Sequence, residues 1–176
     1  MGLSGVDYAL LGWVVSHRSP WLDHMMLALT AIGGGGLVWL VTGFGLVIAG
    51  RLRWRDFAKI VLTVVVTTLV ADFLIKPLFH RPRPFLVWTA FQVIGHRPHD
   101  FSFPSGHAAD GFAAALVLWR TVPGGWLVWA LLAVAIAYSR LYLGVHYPSD
   151  IAGSLLIGVF CAALVTSVSD RNRKPT

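Results

Sequence analysis

A chain of 176 residues that is 56% hydrophobic and only 12% charged is not a soluble domain, where about a quarter of residues carry charge; its length and composition are those of one integral-membrane domain. The formal charge of +6 belongs, in such a chain, to basic loops that meet anionic lipid, and no nucleic-acid-binding motif is present, so a nucleic-acid partner is excluded. The single cysteine, Cys161, lies in an apolar run and cannot form an intrachain disulfide.

In chain order, residues 5–17 place Val6, Ala9, Leu10, Trp13 and Val14 on one helical stripe. That run is shorter than the ~20 residues a span requires, so it is read as a helix lying in the interface. Ser19-Pro20 opens a second short helix, with Ser19 as N-cap, Pro20 at the first position and Asp23 in the first turn. The run Gly33 to Gly36 breaks that helix and permits close packing. Residues 1–32 are thus expected as interfacial helices, 33–168 as the transmembrane core and 169–176 as a polar cytoplasmic tail.

Within the core the apolar runs predict spans from about Gly34 to Gly50, Phe57 to Ile75, Gly106 to Thr121, Trp126 to Gly144, and Ser149 to Val168. Proline at position 77 is expected to stop the second. The fold class that follows is an all-α integral-membrane helical bundle of about five transmembrane helices plus N-terminal interfacial helices. Residues 77–103 form a long connection without an evident element of their own, which marks a functional loop.

Five spans put alternate loops on opposite sides. One side holds Arg51, Arg53, Arg55, Lys59, Arg120, Arg171, Arg173 and Lys174; the other holds Arg18, Lys76, Arg81, Arg83, Arg97 and Arg140. The excess makes the first side cytoplasmic. The expected protein is a multi-pass component of the plasma (inner) membrane with a cytoplasmic C-terminus.

Three polar clusters then fall at the outward ends of the spans: Lys76 through Arg83-Pro84, Pro104-Ser105-Gly106-His107, and Ser139-Arg140 through His146 to Asp150. Charges beside apolar spans cost free energy to insert, so a convergence of them at one face points to function. Ser105 is the N-cap candidate of the third span, and Gly106 leaves the backbone of the first turn open to an anion. A phosphoryl group in transfer spreads charge over three oxygens, and Lys76, Arg83 and Arg140 are fixed cations for them. With three cations a metal is unnecessary, and no cofactor is expected. His146 and Asp150, four apart, share a helical face, so that Asp150 can hold one ring nitrogen and leave the other to attack. His107 remains as general acid. Asp72, four residues before Lys76, either orients that lysine or merely neutralises it. Asp110, one turn beyond His107, is expected to hydrogen-bond near the site.

The order and spacing of these pieces, Lys76-(six residues)-Arg83-Pro84, Pro104-Ser105-Gly106-His107 and Ser139-Arg140-(five residues)-His146-(three residues)-Asp150, resemble the type 2 phosphatidic acid phosphatase family. The matching stretches cover residues 76–150. The resemblance implies a membrane phosphatase with an outward site and a phosphohistidine intermediate. It further implies His146 as nucleophile, Asp150 as its partner and His107 as general acid, with Lys76, Arg83, Ser105, Gly106 and Arg140 as phosphate ligands. The expected partners are the bilayer and a membrane-lipid substrate. A non-enzymatic lipid or anion transporter using the same basic site is the competing class. A related oxidative chemistry with bound vanadate, as in the haloperoxidases of the wider superfamily, is disfavoured by the spans.

Overall fold

The computed structural model describes residues 3–88 and 91–171, and the described residues contain helices and connections but no strands. The helices are α1 (Leu3–Ser16), α2 (Pro20–Gly33), α3 (Leu37–Ile48), α4 (Trp54–Thr68), α5 (Lys76–Phe79), α6 (Pro84–Val87), α7 (Gly106–Thr121), α8 (Trp126–Tyr142) and α9 (Pro148–Arg171).

The bundle is organised around α7, which packs against α4, α8 and α9. Its sequence explains why. Ala108, Ala109, Ala113 and Ala114 are fully buried, and small residues let neighbouring backbones approach closely. On α9 the matching position is Gly158, where a Cβ would come within 2.6 Å of the Ala109 carbonyl oxygen. Trp39 on α3, Ile60 on α4, Leu118 on α7 and Ile136 on α8 fill the space between the helices without exposure. The outer faces carry exposed apolar side chains such as Leu62, Phe73, Leu131, Leu156 and Phe160, as lipid contact requires.

Four stretches are long and apolar enough to cross a membrane: Pro20–Ile48, Trp54–Val87, Pro123–Tyr142 and Pro148–Ser169. Helix α7 is not among these four; the expected span from Gly106 to Thr121 falls on it. At 16 residues it is shorter than these four and lies inside the bundle against α4, α8 and α9.

Three boundaries differ from the expected ones. The first apolar stretch begins at Pro20, so the break anticipated at the glycines falls inside it as a turn. Gly35 and Gly36 adopt φ of +57° and +69°, a region open to glycine at little cost. A side chain at Gly36 would also strike Val64 at 2.7 Å. The second helix does not stop at Pro77. A π-helical segment over Leu69–Ile75 precedes the proline, and the chain stays helical to Phe79. The widened turn absorbs the missing N–H and the ring clash that end a regular helix. Helix α9 likewise continues to Arg171, past the expected start of the tail at 169; residues 172–176 lie outside the described residues.

Candidate active site

The ends of α4–α5, α7, α8 and α9 that carry the three polar clusters all meet at one end of the bundle. Between them lies a cavity of ≈ 480 Å³ whose walls include Lys76, Arg83, Gly106, His107, Arg140 and His146. The far wall is α2 and the glycine turn, through Thr30, Ala31, Gly34 and Gly35. A Cβ at Gly34 would stand 3.7 Å from His107 Nε2, so the turn places bare backbone against the catalytic candidate.

His146 is almost completely buried. Its Nδ1 lies 2.8 Å from the Ser102 carbonyl oxygen and 3.4 Å from Asp150 Oδ2. Two acceptors at Nδ1 fix the proton there, which leaves the Nε2 lone pair for chemistry. Nε2 faces Arg83 Nη1 at 3.2 Å. Burial pushes the imidazole down to about 4; the Asp150 hydrogen bond opposes this, while Arg83 and Arg140 add to it. The ring is therefore neutral at physiological pH, as a nitrogen nucleophile must be.

Asp150 is held on every side. Its Oδ1 accepts from Arg81 Nη1 at 2.6 Å, and its Oδ2 accepts from Ser102 Oγ at 2.5 Å and from the Tyr147 N–H at 2.8 Å. Arg81 in turn donates to Asp7 on α1 at 2.6 Å. The Ser102 hydroxyl thus ties Asp150 to the residue whose carbonyl meets His146, and the carboxylate acts on the imidazole both directly and through that loop.

The three cations are buried. Lys76 pairs with Asp72 at 2.7 Å and with Asp100. Arg83 Nε donates to the Asp100 carbonyl oxygen at 2.8 Å, and its Nη2 donates to the Asp100 carboxylate at 2.6 Å. Arg140 donates to the Thr30 hydroxyl, while its buried Nε–H has no partner among the described residues. Burial alone would raise the Asp100 carboxyl, but the Lys76 hydrogen bond and the Arg83 charge hold it down at about 2. A carboxylate with oxygens on both Lys76 and Arg83 occupies the geometry of two phosphate oxygens.

Ser105 precedes α7 as its N-cap residue but makes no capping hydrogen bond. Its N–H goes to Ser154 Oγ at 2.9 Å. Its hydroxyl is buried without a partner, and neither Ser105 nor Asp150 is among the residues lining the cavity. Gly106 lies against Asp72, where an added Cβ would be 3.0 Å from Oδ1. Asp110 lines the cavity floor and accepts from the Thr68 hydroxyl at 3.2 Å. Among the described residues, no group of three or more His, Cys, Asp or Glu side chains is placed to hold a metal ion.

Asp100, Ser102, Arg81 and Asp7 were not singled out in the sequence. The signal for Asp100 was present: it is an acidic residue in an otherwise basic, His-rich loop, just ahead of the Ser-Gly-His turn.

An apolar helical bundle with buried lysine, arginine and histidine converging on one cavity is the architecture of an integral-membrane phosphatase. The chain belongs to the PAP2 superfamily, which it matches over residues 57–174. It is 31% identical over 171 residues to the lipid A 4'-phosphatase of Bacteroides thetaiotaomicron, covering 90% of this chain and 74% of that one. It is 30% identical over 159 residues to the undecaprenyl-diphosphatase BcrC of Bacillus subtilis, covering 89% of this chain and 79% of the relative. The crystal structure of Aquifex aeolicus LpxE superposes with a TM-score of 0.81 at 27% identity, covering 92% of this chain and 95% of that chain.

Proposed function

We propose that the protein removes the terminal phosphate of a lipid phosphate or diphosphate, of the isoprenoid (undecaprenyl) or phospholipid class, at the outer face of the membrane and without a metal. The observation that supports this most is the arrangement at His146. A neutral, buried imidazole has its Nδ1 proton held by Ser102 and Asp150, and its Nε2 faces a cavity walled by Lys76, Arg83 and Arg140. The class of lipid follows from relatives that act on undecaprenyl diphosphate and lipid A by name. The outward orientation follows from the distribution of basic residues.

In this reading the phosphate displaces Asp100 from Lys76 and Arg83. The unpaired Arg140 Nε–H and the N–H groups of Gly106 and His107 take further oxygens. The orphaned Ser105 hydroxyl is available to a phosphoryl oxygen. His146 Nε2 attacks phosphorus in line: the P–N bond forms, the P–O bond to the lipid breaks, and His107 gives its proton to the leaving oxygen. Water then attacks the phosphohistidine. His107 takes the water's proton, the P–N bond breaks and inorganic phosphate departs, with the histidine pair restored.

The test is acid-free rapid quench with a ³²P-labelled lipid phosphate. Wild type becomes labelled on histidine, and His146→Ala loses both the label and turnover by about 10⁴-fold or more. Undiminished turnover in His146→Ala overturns the mechanism. Wild type that binds lipid phosphate and moves it between leaflets without releasing phosphate establishes a transporter instead.

A further inference from the structure

At the opposite end of the bundle lies a second charged cavity, of ≈ 340 Å³. It is built by the turn after α3, the first turns of α4, the last turn of α7 and the C-terminal part of α9. Arg51, Arg53, Lys59 and Arg120 stand there against one carboxylate, Asp56, among the residues lining it. None of these belongs to the catalytic machinery.

The charges are not a simple solvated fringe. Lys59 and Asp56, both ionisable, are buried. Asp56 is already held by Arg53 Nε at 2.9 Å and lies 3.4 Å from Lys59 Nζ. Arg120 spends one N–H on the Thr166 hydroxyl at 2.9 Å. The Arg51 backbone N–H donates to the Leu46 carbonyl oxygen at 2.9 Å, but its guanidinium makes no hydrogen bond or ion pair among the described residues. With Asp56 already held by Arg53, the guanidiniums of Arg51 and Arg120 bring further cationic charge to this wall among the described residues, in a concave space the size of a small headgroup. Guanidinium groups on different elements match the oxygens of a phosphate.

The level of the cavity says what carries that phosphate. Trp54, next to Arg53, and Trp119, next to Arg120, are both exposed. Exposed tryptophans on a membrane bundle sit at the headgroup boundary. Basic pockets between helices at that depth take lipid headgroups.

We propose that this cavity binds the phosphate of an anionic membrane lipid from the leaflet opposite the catalytic site. The reading is independent of the phosphatase mechanism, because it uses neither the catalytic residues nor a hydrolysable bond. A phosphodiester such as phosphatidylglycerol satisfies it.

The experiment uses the full chain purified in a zwitterionic detergent. Its thermal midpoint is followed against phosphatidylglycerol, phosphatidylcholine and inorganic phosphate, in wild type and in the double variant Arg51→Gln/Arg120→Gln. The expected result is saturable stabilisation of wild type by phosphatidylglycerol, with the half-saturating concentration raised about tenfold or more in the variant. Phosphatidylcholine has no comparable effect. Hydrolysis of a water-soluble phosphate monoester stays within about twofold in the variant, which separates this site from the catalytic one. If the double variant does not fold, Arg51→Gln alone carries the test, with a shift of about fivefold. Equal binding by wild type and variant overturns the proposal, as does equal response to both lipids. A site that saturates with inorganic phosphate and ignores phosphatidylglycerol overturns the lipid assignment.

Discussion

The two ends of the bundle both collect positive charge, but they are built differently. At the end proposed to be catalytic Lys76, Arg83 and Arg140 are buried. Several of their bonds cross between distant parts of the chain: Arg83 to Asp100 and Val145, and Arg140 to Thr30. At the other end Arg53 and Lys59 meet Asp56 within a single helical turn, and the Arg53 side chain is 71% exposed. The Arg53–Asp56 pair, made inside one turn with an exposed arginine, needs no tertiary structure and contributes little, although Lys59 and Asp56 are themselves buried and Arg120 reaches across to Thr166. Buried cations held from several elements cost desolvation and require the whole fold to place them. Three such cations gather at the end where, in the proposed mechanism, reacting oxygens must find donors already in position.

The sharpest way to break this contrast is to alter one arginine at each end while keeping its charge. Arg140→Lys removes the planar fork and the buried Nε–H and is expected to lower kcat/KM for a lipid phosphate by about 10²-fold. Arg120→Lys, at the other end, is expected to change hydrolysis of a soluble monoester by less than about twofold. Equal losses in the two variants, measured as phosphate release, would mean that the two ends are one electrostatic unit.

The next effect is on pH. His146 is held neutral down to about 4 by burial, against the Asp150 hydrogen bond and with the added charge of Arg83 and Arg140. Its folded pKa is depressed, so protonation of the unfolded chain sets in first, near 6.5. The histidine's contribution to stability is therefore present above ~6.5 and lost as pH falls toward 4. In the proposed mechanism His146 therefore stays available as nucleophile at pH 5, where a histidine of ordinary pKa would be about 30-fold depleted in neutral form. The acid limb of kcat/KM should lie near 4. A limb at 6.5 would show that His146 is solvated in the working enzyme.

Much of this was legible along the chain and some was not, for physical reasons. Lys76, Arg83, Gly106, His107, Arg140 and His146 could be found because phosphoryl chemistry needs those residue types and the helical spans carry them to one end. They do line one cavity. The passes were legible from apolar runs, and α7 kept its expected bounds. The helix running through Pro77 was hidden because a π-turn depends on hydrogen-bond geometry upstream, not on the proline itself. Asp100 and Ser102 were hidden because an irregular loop has no period. Nothing local says that Asp100 will reach Lys76 and Arg83, or that the Ser102 carbonyl will reach His146. Asp7 was hidden by distance: an interfacial helix gave no reason to expect its carboxylate on Arg81.

Asp100 supplies a smaller effect with a definite sign. Its carboxylate holds Lys76 and Arg83 and, in the proposed mechanism, yields them to a phosphate. Asp100→Asn removes the competing charge while keeping a side chain of the same size. Inorganic phosphate, the product, should then inhibit more strongly, with its inhibition constant falling about five- to tenfold. Weaker product inhibition in the variant would mean that Asp100 is needed to hold the two cations in place, which is a positioning role.

The smallest expected effect is on metal removal, and it bears on the same cations. Where Lys76, Arg83 and Arg140 surround the phosphate, the charge a divalent ion would neutralise is already matched. The carboxylates nearest them are taken: Asp72 by Lys76, Asp100 by Lys76 and Arg83, and Asp150 by Arg81 and Ser102. A metal would have to strip these carboxylates from their cations and desolvate at once. Dialysis against EDTA is therefore expected to leave phosphate release within about twofold of the untreated enzyme. A loss restored by magnesium or zinc would show that the bound phosphate needs more positive charge than three side chains supply, and the contrast between the two ends would then rest on a metal and not on buried arginine.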